Sequence, residues 1–203
     1  GERLQIHKRG AEVRIFSRRI EPITSQYPDA VELTRTYLRA ETAIFEAEAV
    51  ARDTDTGELL PFQELMRRTR KYGVEEMAAA LPVTLMAFDL LYVDGEDLTR
   101  RPYPERRARL ERVGETGPRF QLAERKIVAS VPELEAFFEL AVSEGTEGLV
   151  CKSLAPESVY QAGARGWLWI KYKREYQAAM TDSVDLVAVG ALYGRGRRAG
   201  TYG

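Results

Sequence analysis

The 203-residue sequence predicts an α+β fold of mainly antiparallel β-sheets flanked by helices. Three observations lead there. Strand and helix patterns are mixed, with no regular βαβ repeat. The chain opens on two short alternating runs separated by Arg9-Gly10, the pattern of a β-hairpin. A nearly continuous apolar run, PVTLMAFDLLYV at 82–93, has the length of a strand and the composition of one buried on both sides.

Residues 4–9 and 12–18 form the opening hairpin. PDAVELTRTYLRA, 28–40, carries Val31, Leu33, Tyr37 and Leu38 at helical spacing, with Pro28 in the first turn. ETAIFEAEAVA, 41–51, reads as a strand burying one face, and DTDTGE as a turn. PFQELMRRTRKY is a short helix, and a second begins near Val74. Asp94-Gly95 turns the chain after the apolar strand. YPERRARLERV and VPELEAFFELAVSEG follow as helices, the second stopped by Gly145. EGLVCK, 147–152, and WLWIKYK, 167–173, are strands joined by a loop rich in Ser, Pro, Gly and Ala. A polar linker, EYQAAMTDS, then precedes a new strand, VDLVAVGALYG, and a basic, glycine-rich turn, GRGRRAGTYG. This divides the chain into units 1–181 and 182–203.

At 44% hydrophobic and 30% charged residues the composition is that of a globular chain with a sizeable core. No apolar run approaches the roughly 18 residues of a membrane span, and the polar opening predicts no signal peptide. A lone cysteine, Cys151, forms no intramolecular disulfide and fits a reducing cytoplasm. With one cysteine and one histidine, His7, the usual zinc sites are excluded. Any metal is then a hard cation held by carboxylates and phosphates, Mg²⁺ foremost and Mn²⁺ as a substitute. The net charge of −1 does not by itself suggest nucleic acid. Lysine is scarce, but Lys152, Lys171 and Lys173 crowd the last third beside glycine and tryptophan.

Lys171 and Lys173 stand two apart on a strand and share a face, so an anion such as phosphate between them would relieve their repulsion; a solvated edge strand is the other reading. Glu46 and Glu48 also share a face, which a cation or hydroxyl partner would offset. Glu147, after Gly145-Thr146, is either a metal ligand or a plain strand start. Phe88 reads alone as a core residue, and Arg18-Arg19 as a phosphate grip or a solvated hairpin end.

The order GER, FSRR, FEAEAVA, FDLLYVDGEDL, EGLVCK and WLWIKYK resembles the motif series of covalent nucleotidyltransferases. It is most similar to ATP-dependent DNA ligases of the archaeal and eukaryotic type, over essentially the whole chain. DLVAVGALYGRGRRAGTYG resembles the start of the oligonucleotide-binding (OB-fold) domain that follows in those ligases, a feature not expected of RNA ligases or capping guanylyltransferases, which share the skeleton. The family's first motif, K-x-D-G-x-R, is matched only by Gly1-Glu2-Arg3, and Ala47 stands where glycine is usual.

The resemblance implies a nucleotidyltransferase, ATP-grasp-like adenylation domain over 1–181 and the first OB-fold strand in 182–203. It implies ATP and Mg²⁺ as cofactors. Arg3 would contact the ribose and Arg18 a phosphate; Glu48 would hold a ribose hydroxyl or the metal; Phe88 would stack on adenine. Glu147 would act at the metal, and Lys171 and Lys173 at the α-phosphate. The expected reaction seals nicked double-stranded DNA in replication, repair and recombination. The expected protein is a monomer without a membrane partner, able to meet a sliding clamp. It would work in the cytoplasm at the nucleoid, or in the nucleus of a eukaryote. Without the motif's lysine, this polypeptide by itself would be a non-catalytic nucleotide- or DNA-binding piece.

Overall fold

The computed structural model describes residues 1–53, 56–68, 73–163 and 166–173. Strands β1 (Glu2–Arg9) and β2 (Glu12–Ser17) form the opening antiparallel hairpin. Strand β3 (Thr42–Ala51) pairs with β1, and β4 (Val83–Val93) with β3, both antiparallel. Two short strands complete the sheet: β5 (Glu96–Asp97), antiparallel to β4, and β6 (Phe120–Leu122), parallel to it. The main path is β2-β1-β3-β4-β5.

The two-residue period of a strand sorts β3 into two faces. Ala43, Phe45, Ala47, Ala49 and Ala51 are buried in the core with Leu4, Ile6, Ile15, Leu85 and Phe120. Helix α1 (Pro28–Tyr37) covers this side, stacking Tyr37 on Phe120 at 5.8 Å between ring centres. Each fully buried large apolar side chain contributes roughly 2 kcal/mol. The opposite face carries Ile44, Glu46 and Glu48, and there the cleft is built.

Helix α2 (Phe62–Leu65) is four residues long and passes into a 3-10 turn at Met66–Arg68, shorter than the helix expected over this stretch. Arg68 is the reason the segment docks. Its guanidinium is buried and donates to both oxygens of Asp29 at 2.6 and 3.0 Å, tying it to the first turn of α1. Helix α3 (Val74–Ala80) leads into β4, and α4 (Tyr103–Val113) packs on that strand.

A second, two-stranded sheet pairs β7 (Gly148–Lys152) with β8 (Trp169–Lys173). Helix α5 (Val131–Ser143) backs it, with Phe138 against Tyr172 at 4.5 Å. The expected strand over 167–173 begins only at Trp169. The expected strand VDLVAVGALYG and the unit 182–203 lie outside the described residues. Among the described residues no helix is long and apolar enough to cross a membrane.

Candidate active site

The floor of the cleft is the outward face of β1, β3 and β4. Glu48 stands opposite Arg3 in the β1–β3 register, and Glu46 opposite Asp89 on β4. Glu46 is fully buried. Its Oε1 accepts from Arg3 Nη2 at 2.9 Å and from the Tyr160 hydroxyl at 2.8 Å, while Oε2 has no hydrogen-bond partner among the described residues. Burial raises its pKa above the usual carboxylate value; Arg3 and Tyr160 work against that rise. Glu48 is recessed but reachable, with 39% of its side chain exposed. Burial raises its pKa too, opposed by the chain's amino group, Lys171 and Arg3 and reinforced by Glu147. Lys171 and Glu147, distant in sequence, thus lie near enough to Glu48 for their charges to act on it.

The β7–β8 hairpin forms the facing wall. Val150 lies opposite Lys171 and Lys152 opposite Trp169, so these four side chains share one side of the ribbon. Lys173 lies opposite Gly148 and donates to Glu147 at 2.7 Å, which holds that carboxyl below its ordinary pKa. Lys171 is exposed and has no hydrogen bond or ion pair to a protein group among the described residues. Gly148 is required at this point: its φ is +139°, and a Cβ there would lie 2.1 Å from the Tyr172 carbonyl oxygen.

Phe88 owes its position to a bulge. In the β3–β4 register Glu46 faces Asp89 and Ala47 faces Ala87, so Phe88 is the extra, unpaired residue. It is half-buried on the cleft rather than enclosed in the core. The Lys152 ammonium sits 4.8 Å from its ring centre, 4.2 Å from that of Tyr103 and 4.0 Å from that of Trp169. That nitrogen is buried without a hydrogen-bond partner among the described residues. Burial lowers its pKa to about 8, with Asp89 and Glu46 acting in the opposite direction.

Behind the box, Arg106 on α4 grips Asp89 with two parallel bonds of 2.8 and 2.9 Å, both side chains fully buried. The same guanidinium donates to the carbonyls of Arg101 and Ser158, fixing the loop that joins β7 to β8. Arg18 is not brought into this cluster. It follows β2 in an exposed turn, one position beyond the last β1–β2 pair, Leu4 with Ser17, and has no side-chain hydrogen bond or ion pair among the described residues.

Sequence reasoning missed Lys152 as a site residue, and with it Tyr103, Trp169, Tyr160 and the Asp89–Arg106 pair. The strand alternation that put Lys171 and Lys173 on one face also puts Trp169 there; only the β7–β8 register adds Lys152. Among the described residues no group of three or more His, Cys, Asp or Glu side chains could hold a metal by itself. Glu48 and Glu147 are a two-carboxylate set, which suits a cation whose remaining ligands are phosphate oxygens and water.

An antiparallel sheet bearing carboxylates, facing a short hairpin bearing lysines, is the nucleotidyltransferase frame of DNA ligase catalytic domains. The chain belongs to the ATP-dependent DNA ligase domain family, whose model matches residues 1–173. It is 55% identical over 203 residues to a DNA ligase of Staphylothermus marinus, covering all of this chain and 34% of that protein. It is 53% identical to a probable DNA ligase of Aquifex aeolicus, again over all 203 residues and 35% of the relative. The chain thus spans about a third of the length of the curated relatives it matches. Among solved structures, a mycobacterial DNA ligase D complexed with ATP and MES superposes with a TM-score of 0.63 at 26% identity, over 86% of this chain and 52% of that one.

Proposed function

We propose that these residues form the ATP-binding and adenylyl-transfer core of a DNA ligase that seals nicks in duplex DNA. The observation that carries this reading is the meeting of Glu48, Glu147 and Lys171 at a cleft that also presents Phe88 on a bulge beside an unpaired, buried Lys152. An unpaired buried ammonium costs stability in the free protein, and a ligand acceptor such as a ring nitrogen of adenine removes that cost. Phe88 offers the face for base stacking. Arg3 and Glu48 suit the ribose, and Lys171 and Lys173 the α-phosphate and the departing pyrophosphate.

Mg²⁺, held by Glu48 and Glu147 together with phosphate oxygens, would neutralise charge on the phosphates. The protein's part is positioning and charge stabilisation, which dominate transfers at phosphorus. In the ligase reaction a lysine amine attacks the α-phosphorus of ATP, forming a P–N bond and releasing pyrophosphate. AMP passes next to the 5′-phosphate at the nick. The 3′-hydroxyl then attacks that phosphate, the phosphodiester forms and AMP leaves. The attacking amine belongs to the K-x-D portion of the first motif, which these 203 residues do not contain. Arg18 and Arg19, exposed in the turn after β2, suit the DNA backbone, where contacts position the duplex without reading sequence. Nicked duplex DNA, a sliding clamp, monomeric action and a nucleoid location in replication, repair and recombination complete the proposal.

Calorimetric titration with ATP and MgCl₂ tests it. Binding is expected, and Phe88→Ala should weaken it by about tenfold or more, since stacking of a base on an aromatic side chain contributes roughly 1–3 kcal/mol. A folded chain that binds no ATP, or binds it equally well without the Phe88 ring, would overturn the assignment.

A further inference from the structure

We propose that Tyr160 is a positioning residue of the nucleotide cleft, fixing the Arg3 guanidinium through the Glu46 carboxylate that both side chains share. The inference rests on the reading of Arg3 as a ribose-binding group. Tyr160 and Glu46 are 114 positions apart, yet the hydroxyl donates to Glu46 Oε1 at 2.8 Å. Arg3 Nη2 donates to that same oxygen at 2.9 Å. Glu46 is therefore the joint between a loop on one side of the cleft and a strand on the other.

The loop end of this relay is held firmly. The Tyr160 amide donates to the Thr99 carbonyl at 2.9 Å. Two residues earlier, the Ser158 carbonyl accepts from the Tyr103 amide at 2.9 Å and from Arg106 at 3.1 Å. The Tyr160 ring meets Trp169 edge-on at 6.4 Å, and Arg106 lies 5.9 Å from its centre. The hydroxyl thus has little freedom, and it fixes the rotation of a carboxylate that is itself completely buried.

Arg3 is the opposite case. Its side chain is 35% exposed, and Glu46 is its only hydrogen-bonding partner among the described residues, through one of its nitrogens. A guanidinium has five N–H donors in a rigid fork. Anchored at one nitrogen, it keeps the others available to a ligand, aimed by the anchor. If the carboxylate turned, the fork would turn with it. A residue serving only to fill space would not need its hydroxyl on the very oxygen that Arg3 uses.

Tyr160→Phe in the 203-residue chain tests this. ATP affinity is expected to fall roughly tenfold, the effect of losing one hydrogen bond to a charged group, while affinity for adenine alone is unchanged. On an Arg3→Ala background the same substitution should have no further effect, because the two act as one unit. Equal losses for ATP and adenine, or additive losses with Arg3→Ala, would overturn the proposal in favour of a role in shaping the pocket. Nitrogen-15 relaxation of the Arg3 side chain gives a second readout that needs no nucleotide. Greater Arg3 motion in Tyr160→Phe supports the relay, and unchanged motion overturns it. If the unsubstituted chain binds no ATP, the ribose reading fails, and the Arg3 relaxation still decides the relay. Should Tyr160→Phe not fold, Glu46→Leu removes the shared acceptor at its centre and is expected to show the same split between ATP and adenine.

Discussion

Lys152 holds its ammonium 4.8 Å from the centre of the Phe88 ring, inside a box of three aromatic side chains, with no hydrogen-bond partner among the described residues. Burial brings its pKa down from 10.5 to about 8, against the pull of Asp89 and Glu46. Below about pH 8 the folded chain carries the full cost of that buried charge. Between about 8 and 10.5 the unfolded chain binds more protons than the folded one, so stability rises with pH. The contribution is about 3 kcal/mol across the whole window. The Tyr160 phenol, pushed up to about 12 by burial, and the raised Tyr27, Tyr103 and Cys151 act in the opposite sense as their unfolded-state values are passed. Comparison with Lys152→Met isolates the lysine. Urea unfolding at pH 7, 8 and 9 should show the unsubstituted chain gaining stability relative to the variant as pH rises. A constant difference would mean that Lys152 is not buried as a cation.

Arg106→Ala is expected to destabilise the chain by about 3–5 kcal/mol, because it leaves the Asp89 carboxylate buried without its cation. The same change frees the Ser158 carbonyl, so the β7–β8 loop should lose protection from amide exchange along with the global loss. Urea unfolding measures the first and hydrogen exchange the second. A loss under about 1 kcal/mol would show that the pair contributes little to this fold.

Lys171 and Lys173 should separate by stability and by binding. Lys173 is paired with Glu147, an exposed carboxylate, so Lys173→Ala should cost at most about 1 kcal/mol. Lys171 has no such pair among the described residues, and Lys171→Ala should leave the unfolding curve nearly unchanged. ATP affinity should fall in both variants, more steeply at low salt, as expected for charges screened by ions. An unchanged affinity in Lys171→Ala would return that residue to the solvated edge-strand reading.

The hairpin, the β3 alternation and the two lysines on one face were legible because a period of two is written directly in the residue types. Glu46 and Glu48 were likewise legible as a same-face pair, but not that one would be sealed and the other left reachable. That difference arises from Tyr160 and Arg3, which arrive from opposite ends of the chain. The motif order supplied a role for Phe88 that its own segment could not. Its exposure to the cleft depends on a bulge, set by the pairing of β4 with β3 and invisible in an unbroken apolar run. The short strands β5 and β6 were missed for a related reason. Two or three residues carry no periodic signal, and their pairing comes from where α4 and the adjoining turns leave the chain. Nothing in the helix pattern YPERRARLERV marks Arg106; its burial accompanies its pairing with Asp89, a lone carboxylate in the apolar strand.

The central claim, an adenylyl-transfer cleft whose attacking lysine lies in the K-x-D part of the first motif, is tested most directly by covalent labelling. ATP labelled at the α-phosphate is incubated with the chain and Mg²⁺, and the products are separated by denaturing electrophoresis. In-line attack tolerates little displacement, and Lys171 and Lys173, on the β7–β8 wall, are proposed to stand beside the α-phosphate rather than in line with it. The 203-residue chain should therefore remain unlabelled. The same chain preceded by a Lys-x-Asp segment joined to Gly1-Glu2-Arg3 should acquire an acid-labile, alkali-stable label. A labelled band on the 203-residue chain would show that another lysine is the nucleophile. An extended chain that binds ATP but never labels would contradict the transfer reading and leave nucleotide binding as the function of this cleft.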